Sequence, residues 1–399
     1  MWKTVKLDDL YDVGSSKRVL KADWKDEGVP FYRGREITTL SANGYVDNDL
    51  FITEQHYEAL LEKSGVPKAD DIMITAIGTI GNTYIVQPSQ KFYFKDASVL
   101  WLRKKTDVSS KYVQYWLKTD EFFSQLDKGN GATVDTLTIK KLASVVLPLP
   151  PLAEQQRIVA KLDAAFAEID SAIKLVEAKQ ANADRLKASL LDVSLKGDDS
   201  LWKTLKLGDA VSIARGGSPR PIKSFITDAD DGVNWIKIGD TSQGGRYIES
   251  TKEKIKPSGI SRSRYVKSGD FLLSNSMSFG RPYILKTDGC IHDGWLVLSD
   301  YEQKFTADYL YYLLSSPVVQ NQFEKLARGS TVRNLNTELV SSVVVSVPPL
   351  AEQQRIVINL DKGFMEIETV FATTKMALDN YTALKSSLLI RELSPSEAA

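Results

Sequence analysis

The 399-residue chain contains one cysteine, Cys290, and two histidines, His56 and His292. A lone cysteine excludes an internal disulfide, and so few soft donors argue against a structural zinc site. An excess of charge of one sign is also missing. The 51 Lys and Arg side chains balance 51 Asp and Glu, which argues against a protein that coats nucleic acid without regard to sequence. No apolar run approaches the roughly 20 residues of a membrane helix. The opening Met1-Trp2-Lys3-Thr4 lacks the apolar core of a signal peptide, so the expected location is cytoplasmic. No Gly-x-x-x-x-Gly-Lys-Ser/Thr phosphate loop is present. Nor is there an Asn/Asp-Pro-Pro-Tyr/Phe run of the kind that carries adenine methylation; Pro148-Leu149-Pro150-Pro151 reads only as a helix entry. His56 and His292 have no partner pattern and read as ordinary residues, and Cys290 reads as a small buried side chain.

What the chain does have is a repeat. Pro150-Pro151-Leu152-Ala153-Glu154-Gln155-Gln156-Arg157-Ile158-Val159 returns 198 residues later as Pro348-Pro349-Leu350-Ala351-Glu352-Gln353-Gln354-Arg355-Ile356-Val357. Proline is tolerated in a first helical turn, where its missing N–H costs nothing, so each copy reads as a helix start. A 4,3 alternation follows each. The first runs through Leu162, Phe166, Ile169, Ile173, Val176, Ala183 and Leu190, with Gln180 and Lys187 filling the rhythm. The second runs through Leu360, Phe364, Ile367, Phe371, Leu378, Tyr381 and Leu388. This is the seam of a coiled coil.

The duplication extends over the rest of the chain. Trp2-Lys3-Thr4-Val5-Lys6-Leu7 returns as Trp202-Lys203-Thr204-Leu205-Lys206-Leu207, and Asp71, Gly81 and Tyr84 return as Asp270, Gly280 and Tyr283. The organisation is therefore a domain over 1–150, a long helix over 151–199, a second domain over 200–348 and a second helix over 349–399. Strand-like stretches at Asp71–Ile77, Thr83–Val86, Ser98–Leu102 and Ser144–Leu149, punctuated by glycine turns, give mixed α/β domains. Ser110–Leu126 has helical spacing and stops before Gly129, a C-cap; Thr306 caps the matching helix of the second half. Residues 1–150 carry 20 basic and 20 acidic side chains, residues 200–348 carry 19 and 15, and each helical segment is two charges negative. The basic surplus of the second domain fits a polyanion or a solvated surface equally.

A helix over 152–195 is about 65 Å long, while the five residues from Lys196 to Ser200 reach at most about 18 Å. The second helix has to run back to pair its seam with the first. The expected fold class is α+β: two mixed domains related by pseudo-two-fold symmetry and separated by an antiparallel coiled coil of two long helices. The alternative is that each helix packs on its own domain.

The motif Pro148-Leu149-Pro150-Pro151-Leu152-Ala153-Glu154-Gln155-Gln156-Arg157, its second copy and the Trp-Lys opening of each half resemble the specificity (S) subunits of type I restriction–modification enzymes. Gly216-Gly217-Ser218-Pro219 resembles that family's early Gly-Gly-Thr-Pro turn; Gly14-Ser15-Ser16-Lys17 departs from it, so the first early loop is expected to have another shape. The resemblance covers essentially the whole chain. It implies two target recognition domains, each reading one half of a split, asymmetric site in double-stranded DNA. It also implies that the helices dock two methyltransferase subunits, that restriction subunits join the methylating core, and that this chain is not itself catalytic. S-adenosylmethionine, ATP and Mg would then serve the partner subunits, with no cofactor or metal in this chain and no membrane. In-phase half-sites one helical turn apart leave an unread gap of roughly 6–8 base pairs. Two other classes stay open: a subunit serving a fused nuclease–methyltransferase, and a protein-only scaffold joined by its coil.

The candidate DNA contacts are polar loops in matching positions. Arg33 and Arg35 align near Lys237 and fit guanine edges or phosphates, and equally fit surface ion pairs. Thr79 and Asn82 lie in Thr75–Asn82, which aligns with Ser274–Arg281, the stretch holding Asn275, Ser276 and Arg281; Asn275 and Arg281 suit adenine and guanine edges, and asparagine also suits a turn cap. Lys128, Asn130 and Thr133, aligned near Arg333 and Asn334, suit phosphate contacts beside glycine-rich backbone. Arg215, Arg220 and Lys223 add phosphate grip or a solvated face. For the methyltransferase, the candidates are Glu154, Gln155 and Arg157 and their copies Glu352, Gln353 and Arg355.

Overall fold

Short runs rich in Val, Ile, Leu and aromatic residues, cut by glycine and asparagine turns, pair as sheets in each half. The structure, a computed structural model, describes residues 2–126, 136–196, 201–242, 245–275, 280–327 and 334–394. It forms two units, one of Met1–Val176 with Met376–Ala399, the other of Glu177–Lys375.

In the first unit a four-stranded antiparallel sheet runs in the order Tyr11–Gly14, Val99–Lys104, Ile72–Thr75, Thr83–Ile85. A smaller sheet orders Phe51–Ile52, Val29–Tyr32 and Tyr93–Phe94, flanked by helices Gly34–Asn43 and Glu54–Ser64. Lys3–Lys6 pairs with Val146–Leu149, closing the domain where its long helix begins. The second unit repeats the plan with a five-stranded sheet, Ser212–Arg215, Trp295–Ser299, Phe271–Ser274, Pro282–Leu285 and Tyr247–Ile248. Lys203–Lys206 pairs with Val344–Val347 at the matching place. Among the described residues, the two helices of the smaller sheet are not repeated. Short strands Ile226–Thr227, Glu253–Ile255 and Arg264–Val266 build a second five-stranded sheet with Val233–Ile236 and Gly289–Ile291 instead.

The expected helix over 110–126 is two, Ser110–Trp116 and Asp120–Leu126. Thr119 breaks it: its hydroxyl donates to the Trp116 carbonyl at 2.7 Å and accepts the Phe122 N–H at 3.3 Å. Ser316 does the same between Leu313 and Val319, beside Pro317, in the second unit. Thr306 caps its helix as expected, accepting from the Tyr309 N–H. The Gly129 cap lies outside the described residues.

The long helices span Leu152–Leu195 and Leu350–Leu393, 44 residues each. Their pairing is antiparallel within each unit. In the first, Lys161 meets Glu392 at 2.8 Å and Asp170 meets Lys385; in the second, Lys187 meets Glu368 at 3.0 Å. The seam is not wholly spent on the coil. Ile158 and Leu162 are buried in the core of the first domain with Leu7 and Leu147, and Phe166 packs against it. Ile356, Leu360 and Phe364 do the same with Leu207 and Val345. The far helix ends join these cores as well: Leu389 and Leu393 enter the first, Leu191 and Leu195 the second. Gly363 allows close passage, since a Cβ there would come within 2.4 Å of Leu190.

One polar clip sets each domain on its helix. Gln155, 2% exposed, accepts the Ser109 N–H at 2.9 Å and donates to the Pro150 carbonyl at 2.8 Å. Gln353, fully buried, accepts the Thr306 N–H at 2.8 Å and donates to the carbonyls of Lys304 and Pro348. Tyr115 donates to Asp163 and stands edge-on to Phe166; Tyr312 repeats both contacts with Asp361 and Phe364. Removing a glutamine leaves a buried N–H and a buried carbonyl unpaired. Gln155→Ala should destabilise the first unit, and Gln353→Ala the second, by about 1–3 kcal/mol. Glu154→Ala, in an exposed pair, should cost under about 0.5 kcal/mol. Urea midpoints of the full chain are the readout.

Candidate nucleic-acid interface

In each unit the loop after the first sheet strand, the loop between the second and third hydrophobic strands and a turn before the fourth meet at one edge. In the first unit the middle loop is tied by Thr75. Its carbonyl accepts the Gly81 N–H at 3.1 Å, and its hydroxyl donates to the Thr79 carbonyl and accepts the Asn82 N–H at 3.0 Å. Ala76 N–H donates to the Ser98 carbonyl at 2.9 Å, and Ile77 bridges to Thr136. The early loop joins through Ser15, whose hydroxyl donates to the Val99 carbonyl, and Arg18, which pairs with Asp96 at 3.0 Å. A groove of about 360 Å³ opens between the three segments, lined by Arg18, Leu20, Lys21, Trp24, Ile77 and Lys95 among others.

The second unit repeats the ties and surrounds them with different groups. Ser274 accepts the N–H groups of Gly280 and Arg281, and Asn275 N–H donates to the Gly294 carbonyl at 3.0 Å. Leu335 N–H donates to the Asn275 carbonyl at 2.9 Å. Gly216 is needed where it stands, because a Cβ would meet the His292 carbonyl at 2.1 Å. By strand register the first half has Ser16 at the place of Gly216. Asp293 is the centre. Ser218 donates to its carboxylate at 2.6 Å and Arg220 approaches at 3.4 Å, while Arg215 and Asn275 donate to its carbonyl at 3.3 and 2.8 Å. The Ser218 hydrogen bond above all, with Arg220 and His292 nearby, holds the Asp293 carboxyl below its usual range against the opposing effect of burial. Burial holds the His292 imidazole below its own, so it stays neutral at pH 7.

The structure thus brings Arg215, Arg220 and Asn275 together and links Asn82 to helix Gly34–Asn43 through Thr38 at 3.1 Å. Thr79, Lys223 and Arg281 are exposed, and Arg281 lines a shallow groove with Tyr283 and Tyr311. Asn334 stands just before buried Leu335. Lys128, Asn130, Thr133, Ser276 and Arg333 lie outside the described residues. Asn275 is buried with its amide turned to Asp293, so it holds the loop rather than offering a free base-reading edge. Arg33 and Arg35 take the ion-pair alternative: both reach Glu36 and Asp49. Lys237 takes the same role with Glu253 at 2.6 Å. These two basic residues are also equivalent helix N-caps, since Glu36 accepts the Arg33 N–H and Asp240 the Lys237 N–H, each at 2.8 Å.

Among the methyltransferase candidates, Glu154 and Arg157 form an exposed pair on the first helical turn at 2.7 Å, and Glu352 and Arg355 repeat it at 2.6 Å. Gln155 and Gln353 need correction: buried, with their amides used inside the chain, they present no docking surface. Sequence reasoning missed Asp293, Leu20 and the cations beside it. A search for basic and amide groups passes over an acidic hub and an apolar tip. Only the glycines of Gly216-Gly217 hinted at a tight approach.

Glu36 generates a test. Burial alone would raise its carboxyl, but the Arg33 and Arg35 contacts outweigh that and hold it below its usual value. A depressed carboxyl contributes stability that is present above the unfolded value near ~4.3 and lost as pH falls through the lower folded value. Glu36→Gln should therefore cost about 1–3 kcal/mol at pH 7 and flatten the acid side of the stability–pH curve of the first unit, followed by urea midpoints from pH 7 downward.

Residues 1–178 and 199–370 match the family model described as type I restriction modification DNA specificity domain. A putative type I restriction enzyme specificity subunit S.HindORF215P of Haemophilus influenzae is 35% identical over 167 residues, 41% of this chain and 40% of that protein. The type I restriction enzyme EcoBI specificity subunit of Escherichia coli is 24% identical over 66% of this chain and 60% of that protein. The matches thus span less than two thirds of these two relatives. A solved chain described under complex assembly and conformational transition of the type I R-M system aligns over 98% of this chain and 97% of its own length. It has a TM-score of 0.79 at 20% identity, a likeness of fold. With one match in each half, the chain belongs to the specificity-subunit family of type I restriction–modification enzymes.

Proposed function

We propose that this chain is the non-catalytic DNA-reading subunit of a cytoplasmic type I restriction–modification complex. Each unit reads one half of a bipartite, asymmetric target in double-stranded DNA. The observation that carries this reading is a contrast. The ties that hold the domains and their loops follow the same hydrogen-bond pattern in both units, at Gln155 and Gln353, Thr75 and Ser274, Gly81 and Gly280. The lips those ties support are not: one is an apolar groove with a cationic rim, the other a charged and amide-rich cluster on Asp293. A repeated frame with two unlike lips suits a ligand of repeated backbone and unlike bases. Phosphate contacts position such a frame and base edges select the sequence.

The same symmetry of frame extends to partners. The exposed Glu154–Arg157 and Glu352–Arg355 pairs mark two equivalent helix starts, which suit two copies of one methyltransferase subunit. Restriction subunits then join that core. S-adenosylmethionine, ATP and Mg belong to the partner subunits, while this chain supplies address and geometry.

Exchanging residues 200–348 for the matching domain of another such subunit should change one half of the methylated motif and leave the other. Sequencing of N6-methyladenine across the host genome reads the result, and a change in both halves or in neither defeats the modular reading. Native mass spectrometry should resolve one copy of this chain with two methyltransferases. An end point of one to one counts against the paired docking surfaces.

A further inference from the structure

The groove of the first unit has an apolar floor that is exposed among the described residues. Leu20 is 60% exposed and Ile77 is 47% exposed. Both are held there. Leu20 caps the turn Lys21–Asp23 through its N–H to the Asp23 carboxylate at 3.2 Å, and Ile77 is pinned by its bridge to Thr136. Around them stand Arg18, Lys21 and Lys95, against Asp96, which Arg18 already neutralises. An apolar patch with a net positive rim is complementary to a polyanion that projects an apolar group. In the DNA major groove, guanine, cytosine and adenine present hydrogen-bonding groups, and thymine alone presents a methyl. At the matching edge of the second unit, Ser218, Arg220 and Asp293 offer polar groups instead.

Building on the reading of this chain as a DNA-binding subunit, we propose that the first unit selects thymine in its half-site. Leu20 and Ile77 meet thymine C5-methyl groups, and Lys21 and Lys95 hold the flanking phosphates. Selection then rests on shape and desolvation at the methyl rather than on a hydrogen bond. The phosphate contacts set register and make affinity fall with salt.

The test uses the full chain with its methyltransferase partner, once the methylated motif is mapped and the half-site of the first unit is identified by exchanging residues 1–150. Duplexes carry deoxyuridine in place of each thymine in turn, which removes only the methyl. Each methyl that is contacted should weaken binding roughly fourfold on removal. Substitutions in the other half-site should change affinity by less than about twofold, because the described residues at that edge, Ser218, Arg220 and Asp293, offer polar groups. Leu20→Ser with Ile77→Ser should bind thymine and uracil duplexes equally, while Leu20→Met keeps the difference. A half-site without thymine, or one indifferent to deoxyuridine at every position, overturns the inference and leaves the DNA-binding reading standing. Equal sensitivity in both half-sites overturns the assignment to Leu20 and Ile77. If no sequence competes better than random duplex, the DNA-binding reading itself falls and the inference falls with it.

Discussion

Everything in each unit is referred to one buried amide. Gln155 and Gln353 sit in the first turn of the long helices, where backbone groups lack intrahelical partners, and each bonds both the strand that leads in and the start of a domain helix. The amide is satisfied only when strand, domain helix and long helix meet at one angle, and in a buried site an unsatisfied group is expensive. Tyr115 with Asp163, and Tyr312 with Asp361, brace the same angle a turn or two further on. The aliphatic core supplies most of the burial without direction, and the amide supplies the direction. A loop that reads a ligand can be no better placed than the domain that carries it.

With the frame settled, the reading edges are free to diverge. The ties at Thr75 and Ser274 use backbone groups and one hydroxyl, so they constrain the path of the loop and not its tips. The helices Gly34–Asn43 and Glu54–Ser64 of one unit give way to short strands in the other, while four strands of the main sheet keep their order and Tyr247–Ile248 adds a fifth. The basic caps Arg33 and Lys237 and their acidic partners Glu36 and Asp240 survive that change because they start the segment that follows Val29–Tyr32 in one unit and Val233–Ile236 in the other, whatever that segment becomes.

How much of this was legible depended on range. The long helices were plain because a 4,3 pattern over some forty residues leaves few alternatives. Their antiparallel course followed from one short link and is borne out within each unit by Lys161–Glu392 and Lys187–Glu368. Leu162 and Phe166 were read as coil because periodicity shows that a side is apolar and not what lies against it; the domain core took them. The break at Thr119 was hidden because a threonine in an amphipathic stretch looks like any polar position until its hydroxyl is seen to bond the backbone. Arg33 and Arg35 have the groups of a base reader, and their acidic partner Asp49 is fourteen and more residues away. Asp293 could not be found by spacing at all, since Arg215, Ser218 and Asn275 reach it from distant parts of the chain.

The helix ends carry one more consequence, for biosynthesis. Leu191 and Leu195 reach the core of the second unit before its own strands exist, so that unit can assemble as its residues leave the ribosome. The first unit completes its core later. Its core contains Leu389 and Leu393, almost the last residues of the described chain to be made. Although domains generally form in order from the N-terminus, here the first half waits with an open apolar face while the second is translated. A chain cut short anywhere before those leucines keeps that face open, a mark by which chaperones and proteases can tell an unfinished subunit from a finished one.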